Sequence, residues 1–268
     1  MKNQNNNLSF LRVLSGGQTT SLQDLGRIGF QDKGVPPSGV ISKKNMKLAN
    51  KLVGNNECEA VLESFISGPT FEMKGLRALV SIIGGKSTSL EIINRNIKVR
   101  PGRSIEIVQN DLVKINNGND NLISTFSISG GFKVTKILGS KSTNPSVKMG
   151  GFNGGFLEDD MLLYLNDNLS DAEEKIIPNF SSPQTIKKLR VILGPHENKF
   201  EKSQIDKFLI DPLKYHQSLL FVVILYHILY TQRKYFYLHW RKCPSMSLSV
   251  ERQCLQCSHH SVHESRYS

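Results

Sequence analysis

Between residues 60 and 128 the chain offers only short apolar runs, each broken by a turn signal. Ala60–Phe65, Thr70–Met73 and Ala78–Ile83 are separated by Gly68-Pro69 and Gly75 and closed by Gly84-Gly85. Leu90–Ile93, Ser104–Val108, Leu112–Ile115 and Leu122–Ile128 continue the series past Pro101-Gly102 and Asn117-Gly118. A helix needs an apolar stripe sustained over three turns, whereas a strand needs only four to eight residues. Strands recurring at about 8–12-residue spacing predict a mainly β chain built as a barrel or sandwich. Ser9–Leu14 is expected to be a first strand, stopped by Gly16-Gly17, and Lys188–Leu193 a last one, closed by Gly194-Pro195.

One helix interrupts the rhythm. Ser42 is a plausible N-cap, because its hydroxyl can accept from an early helix N–H. Met46, Ala49, Leu52 and Val53 recur at helical spacing and predict a buried stripe, and Gly54 suits the left-handed residue just past a helix end. Gln18 to Gly39 reads as a long loop containing Pro36-Pro37, and the polar stretch from Asp167 to Thr185 as a surface loop or linker.

Composition divides the chain near residue 212. All 21 glycines lie at or before Gly194, and residues 213–268 hold no Gly, Asn or Asp. The same stretch holds three of four Cys, six of seven His and the only Trp, and +5 of the formal +11 net charge. The remaining +6 is ordinary for a body of this size, so neither nucleic acid nor a membrane surface is expected as a partner. The longest apolar run, Leu219 to Tyr230, is 12 residues. At about 1.5 Å per residue it is too short to cross a bilayer core of about 30 Å. The polar, Asn-rich start at residues 1–8 lacks the apolar segment of a secretory signal and reads as a disordered lead. Cys58, the one cysteine of the body, fits a reducing cytoplasm.

Several motifs fail on spacing. Gly84-Gly85-Lys86-Ser87-Thr88 would need a glycine at position 80 to make a phosphate loop, and Val80 stands there. Cys254, Cys257, His259, His260 and His263 fall too close together for the chain to fold around a structural zinc ion, so no metal is expected. His196 is the only histidine of the body, which removes a Ser-His-Asp triad. Gly150 to Phe156 is glycine-dense and reads either as tight turns or as a backbone wall beside a ligand. The richest constellation is the loop 23–39, which packs Asp24, Arg27 and Ser38 between glycines and prolines. Asp24 and Arg27 could pair with each other, or bind an amide and a carboxylate respectively.

That loop, QDLGRIGFQDKGVPPSG at 23–39, resembles the N-terminal signature of the biotin-dependent carboxyltransferase, or allophanate hydrolase subunit 2, family. The resemblance continues in order through Leu48 to Asn55, Leu62-Glu63, Gly68-Pro69-Thr70, Ser129 to Phe132, Leu138 to Thr143, Gly150-Gly151-Phe152 and Leu189 to Pro195. It departs at Gly39-Val40-Ile41-Ser42, where the family usually reads Gly-Ala-Met-Asp. It departs again at Lys141, where Arg is common, and at His196, where Gln is common. Members normally continue well beyond Phe200 with Asp-Arg-Met-Gly and Thr-Gly-Gly-Tyr stretches, which are absent here. Residues 213–268 are therefore expected to be a frameshifted or degenerate end, or else a lineage-specific tail that binds a partner.

The resemblance implies a cyclophilin-like β-barrel over 9–166 with one short helix, a linker at 167–187, and an incomplete second barrel starting at 188–212. It implies a subunit of an ATP-dependent amide or lactam hydrolase complex that converts 5-oxoproline to glutamate. The partners would be a sister subunit of the allophanate hydrolase subunit 1 type and a third, barrel-type subunit. ATP would act at the level of the complex rather than be held firmly by this chain. No biotin-acceptor motif of the Met-Lys-Met type occurs, so biotin is not expected. The resemblance marks Arg27 and Lys141 as anion holders with Asp24 orienting Arg27, these three being the catalytic set. Ser38, Gly39, Ser140, Ser142, Gly150 and Gly151 would bind substrate. Two alternatives remain: a binding module that antagonises a kinase-inhibitor sister subunit without turnover, and a non-functional truncated remnant.

Overall fold

The computed structural model describes residues 8–75, 77–119, 122–166, 173–178, 180 and 200–210. The expected strand at Lys188–Leu193, the apolar run Leu219 to Tyr230, the Cys254–His263 cluster and the tail 213–268 lie outside the described residues.

Eleven strands are described: β1 (Phe10–Ser15), β2 (Thr19–Gln23), β3 (Val61–Phe65), β4 (Thr70–Lys74), β5 (Arg77–Ile83), β6 (Ser89–Ile92), β7 (Ile97–Val99), β8 (Arg103–Val108), β9 (Leu112–Asn116), β10 (Ile123–Ile128) and β11 (Leu162–Tyr164). They form two antiparallel sheets. One has the order β11-β1-β4-β9-β6-β7 and the other β2-β3-β10-β5-β8. The first chain segments, β1 and β2, thus enter different sheets. Their inward residues meet in one apolar core, with Leu11, Val13, Phe71 and Val113 from the first sheet and Leu22, Leu62, Val80 and Phe126 from the second. Phe71 and Phe126 touch with ring centroids 5.7 Å apart. The chain is mainly β, as its strand rhythm predicts.

Three strands lie outside the expected series. The largest correction is β2, which occupies the start of what reads as loop from Gln18 to Gly39. Its sequence, Thr-Thr-Ser-Leu-Gln, carries one apolar residue, so hydropathy hides it. Pairing reveals it, since Thr19 to Gln23 run opposite Phe65 to Val61 of β3. The other two, β7 and β11, are three-residue edge strands, too short to show a period.

The helix α1 (Lys43–Leu52) forms where its spacing predicts. Ser42 Oγ accepts from the Asn45 N–H at 3.2 Å, and Gly54 adopts φ +76° just past the end. Met46, Ala49 and Leu52 are buried. Met46 packs with Val40 and Val61, and Ala49 and Leu52 pack with Ile83, so α1 covers the outer face of the second sheet. Polar bonds fix its position: Ser81 Oγ donates to the Ala49 carbonyl at 2.8 Å and Ser127 Oγ to Asn50 Oδ1 at 2.6 Å.

Part of the segment expected to be linker is ordered against β8. The Ser104 N–H donates to the Lys175 carbonyl at 2.9 Å, and Ile176 bridges to Arg103. Ile177 and Phe180 pack beside Leu52. A second helix, α2 (Lys202–Ile210), belongs to a separate compact unit and falls within the stretch expected to open a second barrel.

Candidate functional site

The loop that leaves β2 returns to its own base. Val40 N–H donates to the Asp24 carbonyl at 2.8 Å and Arg27 N–H to the Pro37 carbonyl at 2.6 Å. Gln23 closes the neck, accepting from the Gly39 N–H at 3.1 Å and donating to the Thr143 carbonyl at 3.2 Å. These bonds hold Asp24 and Arg27 on one side of the loop and present Ser38 and Gly39 on the sheet face.

Asp24 is the hub of the first side. Its Oδ1 accepts from Ser140 Oγ and Ser142 Oγ, both at 2.6 Å, and from the Gly26 N–H at 2.8 Å. Its Oδ2 accepts from the Lys141 N–H at 2.6 Å. Burial pushes this carboxyl up, but the bonds from Ser140, Ser142, Gly26 and Lys141 outweigh it and hold Asp24 below the usual carboxylate range. It is ionised at neutral pH.

Arg27 is fully buried. Its Nη2 donates to the Ser142 carbonyl and its Nε to the Ile137 carbonyl at 3.2 Å. Its Nη1 is buried with no partner among the described residues. Burial lowers its basicity, and the field of Asp24 partly restores it. Asp24 therefore positions Arg27 through Ser142, whose hydroxyl donates to Asp24 and whose carbonyl accepts from Arg27. Gly150 completes the fit. A Cβ there would collide with Arg27 Nη2 and the Ser142 carbonyl, and its φ of +73° suits glycine alone. Gly151 N–H donates to the Lys141 carbonyl at 2.9 Å. Gly150 and Gly151 also line a groove of about 550 Å³, beside Lys133, Lys148 and Phe152.

Lys141 turns its ammonium inward, to Glu59 Oε1 at 2.6 Å and the Phe132 carbonyl at 2.9 Å. Asp24, Arg27, Ser140, Lys141, Ser142, Gly150 and Gly151 thus converge, although they come from stretches more than a hundred residues apart. Ser38 and Gly39 do not join them. They line a separate pocket of about 30 Å³ together with Thr19, Gln23 and Glu63.

Glu63 carries the chemistry that loop reading misses. It is 7% exposed, and burial raises its carboxyl to about 7, against the N–H groups of Ile41 and Ser42 that favour its charge. A carboxylate amid Val61, Leu62 and Phe65, in a strand of otherwise uncharged residues, is the signal that points to it.

The amide end of α1 is occupied by Ser42 Oγ and the Glu63 carboxyl. The turn after Gly84 runs into strand β6, not into a helix, so it lacks the amide crown of a phosphate loop. No cluster of three potential metal ligands occurs among the described residues, and none of their helices is long and apolar enough to cross a membrane.

Residues 33–219 match the family described as carboxyltransferase domain, subdomain A and B. The chain belongs to this family. The carboxyltransferase domain is 28% identical over 220 residues to urea amidolyase of Saccharomyces cerevisiae, covering 78% of this chain and 12% of that protein. It is 27% identical over 210 residues to a 5-oxoprolinase subunit of Escherichia coli, covering 75% of this chain and 63% of the relative. Among solved structures, the urea carboxylase of Kluyveromyces lactis superposes with a TM-score of 0.64 at 30% identity, over 76% of this chain and 19% of that one. The carboxyltransferase domain therefore spans 12% of the Saccharomyces cerevisiae urea amidolyase, 19% of the Kluyveromyces lactis urea carboxylase and under two thirds of the Escherichia coli 5-oxoprolinase subunit.

Proposed function

We propose that this chain is the carboxyltransferase-type subunit of an ATP-dependent amide or lactam hydrolase complex, with 5-oxoproline as substrate and glutamate as product. The observation that carries the reading is its similarity, over three quarters of its length, to a protein named as a subunit of 5-oxoprolinase. A sister subunit of the allophanate hydrolase subunit 1 type and a third, barrel-type subunit would complete the assembly. ATP would act at the level of the complex.

The chemistry fits the buried residues of the loop. A lactam is a poor electrophile, and raising its reactivity develops negative charge on its oxygen. Arg27 Nη1 is a buried donor without a partner, held in place by Asp24 through Ser142. It is one donor that the described residues offer to such a charge. Lys141 would serve an anion only by leaving Glu59.

The test is reconstitution. Co-expressed subunits should convert 5-oxoproline to glutamate with ATP consumption, and omission of this chain should abolish turnover. Arg27→Lys keeps the charge but loses the planar fork, and should lower kcat at least tenfold. Glutamate formation at the same rate without this chain overturns the proposal. The second reading is a binding module, favoured by the internal saturation of Asp24 and Lys141. It predicts a tight pairwise complex with the sister subunit and no turnover.

A further inference from the structure

The outer face of the second sheet holds a feature that the loop chemistry leaves unused. Glu63 sits there with Ser21 of β2 on one side and Thr125 of β10 on the other, both its direct cross-strand partners. Ser38 lines one pocket with Ser21 and Glu63. Its φ of +56° is a left-handed conformation that non-glycine residues rarely adopt, and such strain collects at ligand sites. Ser38 Oγ and Thr19 Oγ1, whose residues line the pocket with Glu63, and Thr125 Oγ1, on the strand opposite Glu63, are buried without a partner among the described residues. Ser38 is 6% exposed. A buried hydroxyl without a partner costs about 1–3 kcal/mol, so a cluster of them marks a place that a polar ligand would satisfy.

The chemistry of the walls selects the ligand. No Lys, Arg or His lines the pocket, and its one ionisable group is an acid, which disfavours an anion. Two backbone N–H groups occupy part of the Glu63 carboxyl, and further lone pairs remain to accept from a ligand N–H. Hydroxyls can donate to a carbonyl. Phe65 and Ile41 give the pocket apolar walls for a flat group. The volume of about 30 Å³ equals roughly two or three water sites, at about 10–15 Å³ each. That accommodates the N–C=O head of an amide, about three heavy atoms, with the rest of a ligand outside.

We propose that this pocket binds a neutral amide-type head, whether carboxamide, ureido or lactam, with Glu63 receiving its N–H and Ser38 donating to its carbonyl. The proposal deepens the amide-hydrolase reading and rests on it for the source of the ligand.

The experiment is a titration of the full chain, 15N-labelled, with acetamide and 2-pyrrolidinone, against acetate and ammonium chloride as controls at pH 8. Saturable shifts of the Gly39 and Ile41 amide signals are expected with both amides, with acetate and ammonium at least tenfold weaker. Ser38→Gly removes the hydroxyl while suiting the backbone, so it should bind at least tenfold more weakly with an unchanged or higher Tm. Glu63→Gln should weaken binding similarly. The absence of saturable shifts, equal affinity for acetate or ammonium, or wild-type binding by both variants overturns the assignment. Missing amide binding in a chain that still supports turnover in the reconstituted complex removes this pocket alone. Specific amide binding in a complex that never forms glutamate supports the pocket and removes the hydrolase reading alone.

Discussion

Two buried carboxylates, Asp24 and Glu63, are shifted in opposite directions from the ordinary carboxylate value. Glu63 binds its proton more tightly in the folded chain than in the unfolded one, with values of about 7 against 4.5. Stability contributed by this group is full below about pH 4.5 and is lost as pH rises to about 7. The loss is on the order of 3 kcal/mol at most, at about 1.4 kcal/mol per unit. Glu63→Gln abolishes that slope, so the variant should be the more stable of the two at pH 8, read from urea unfolding at a series of pH values. Asp24 has the reverse sign. Its depressed carboxyl contributes stability above the ordinary carboxylate range and loses it as pH falls through the folded value. Asp24→Asn should cost about 2–4 kcal/mol at pH 7, because charge-assisted bonds become neutral ones and one donor loses its acceptor. Legibility at this scale was uneven. The loop 23–39 announced Asp24, Arg27 and Ser38 by its density of polar and special residues. It gave no sign that Lys141 is spent on Glu59, or that Glu63 faces Ser38, since both contacts are made by residues far away in sequence.

At the scale of elements, local signals succeeded where local chemistry decides. Ser42, the stripe Met46–Ala49–Leu52 and Gly54 specify α1 from within the helix itself. Ser42→Ala should therefore cost about 1 kcal/mol of stability, the usual effect of an N-cap, measurable by thermal unfolding. Strand β2 failed the same test because its identity depends on a neighbour: Leu22 faces the core while Thr19, Ser21 and Gln23 face a polar pocket. Its alternation is real, but it alternates polar with buried polar, and hydropathy cannot register that. The Gly150 turn shows how tightly elements are fitted around Arg27. Gly150→Ala should destabilise by more than about 2 kcal/mol, because both the left-handed backbone and the collision with Arg27 count against it. Gly29→Ala, at φ +94° with open space around it, should cost about 1 kcal/mol for the backbone alone. The contrast between the two separates crowding from conformation.

For the molecule as a whole, the two sheets are joined through side chains. Phe71 and Phe126 are fully buried and meet from opposite sheets. Each single change to Ala should cost about 3–5 kcal/mol. The double variant should fall short of the sum by about 0.5–1.5 kcal/mol, the part of the loss that belongs to the ring pair. The mainly β character was legible because most of the strands carry enough apolar residues to declare themselves. The partition into two sheets was not, because strand order is set by pairing across the chain, as where β1 lies between β4 and β11.

Arg27 and Asp24 are stitched to partners 110 to 118 residues further along the chain. Contacts of such separation must wait for the intervening chain to close its loop, and they form late in folding. A nascent chain that has emerged only as far as β10 holds the whole signature loop and its local bonds, but none of the anchors supplied by residues 137–150. Ser140, Ser142 and Gly150 arrive with the segment that leads into β11, the strand that seals the far edge beside β1. The buried seat of Arg27 is thus assembled late in the folding of this unit, and a chain halted before that point carries the motif without its surroundings.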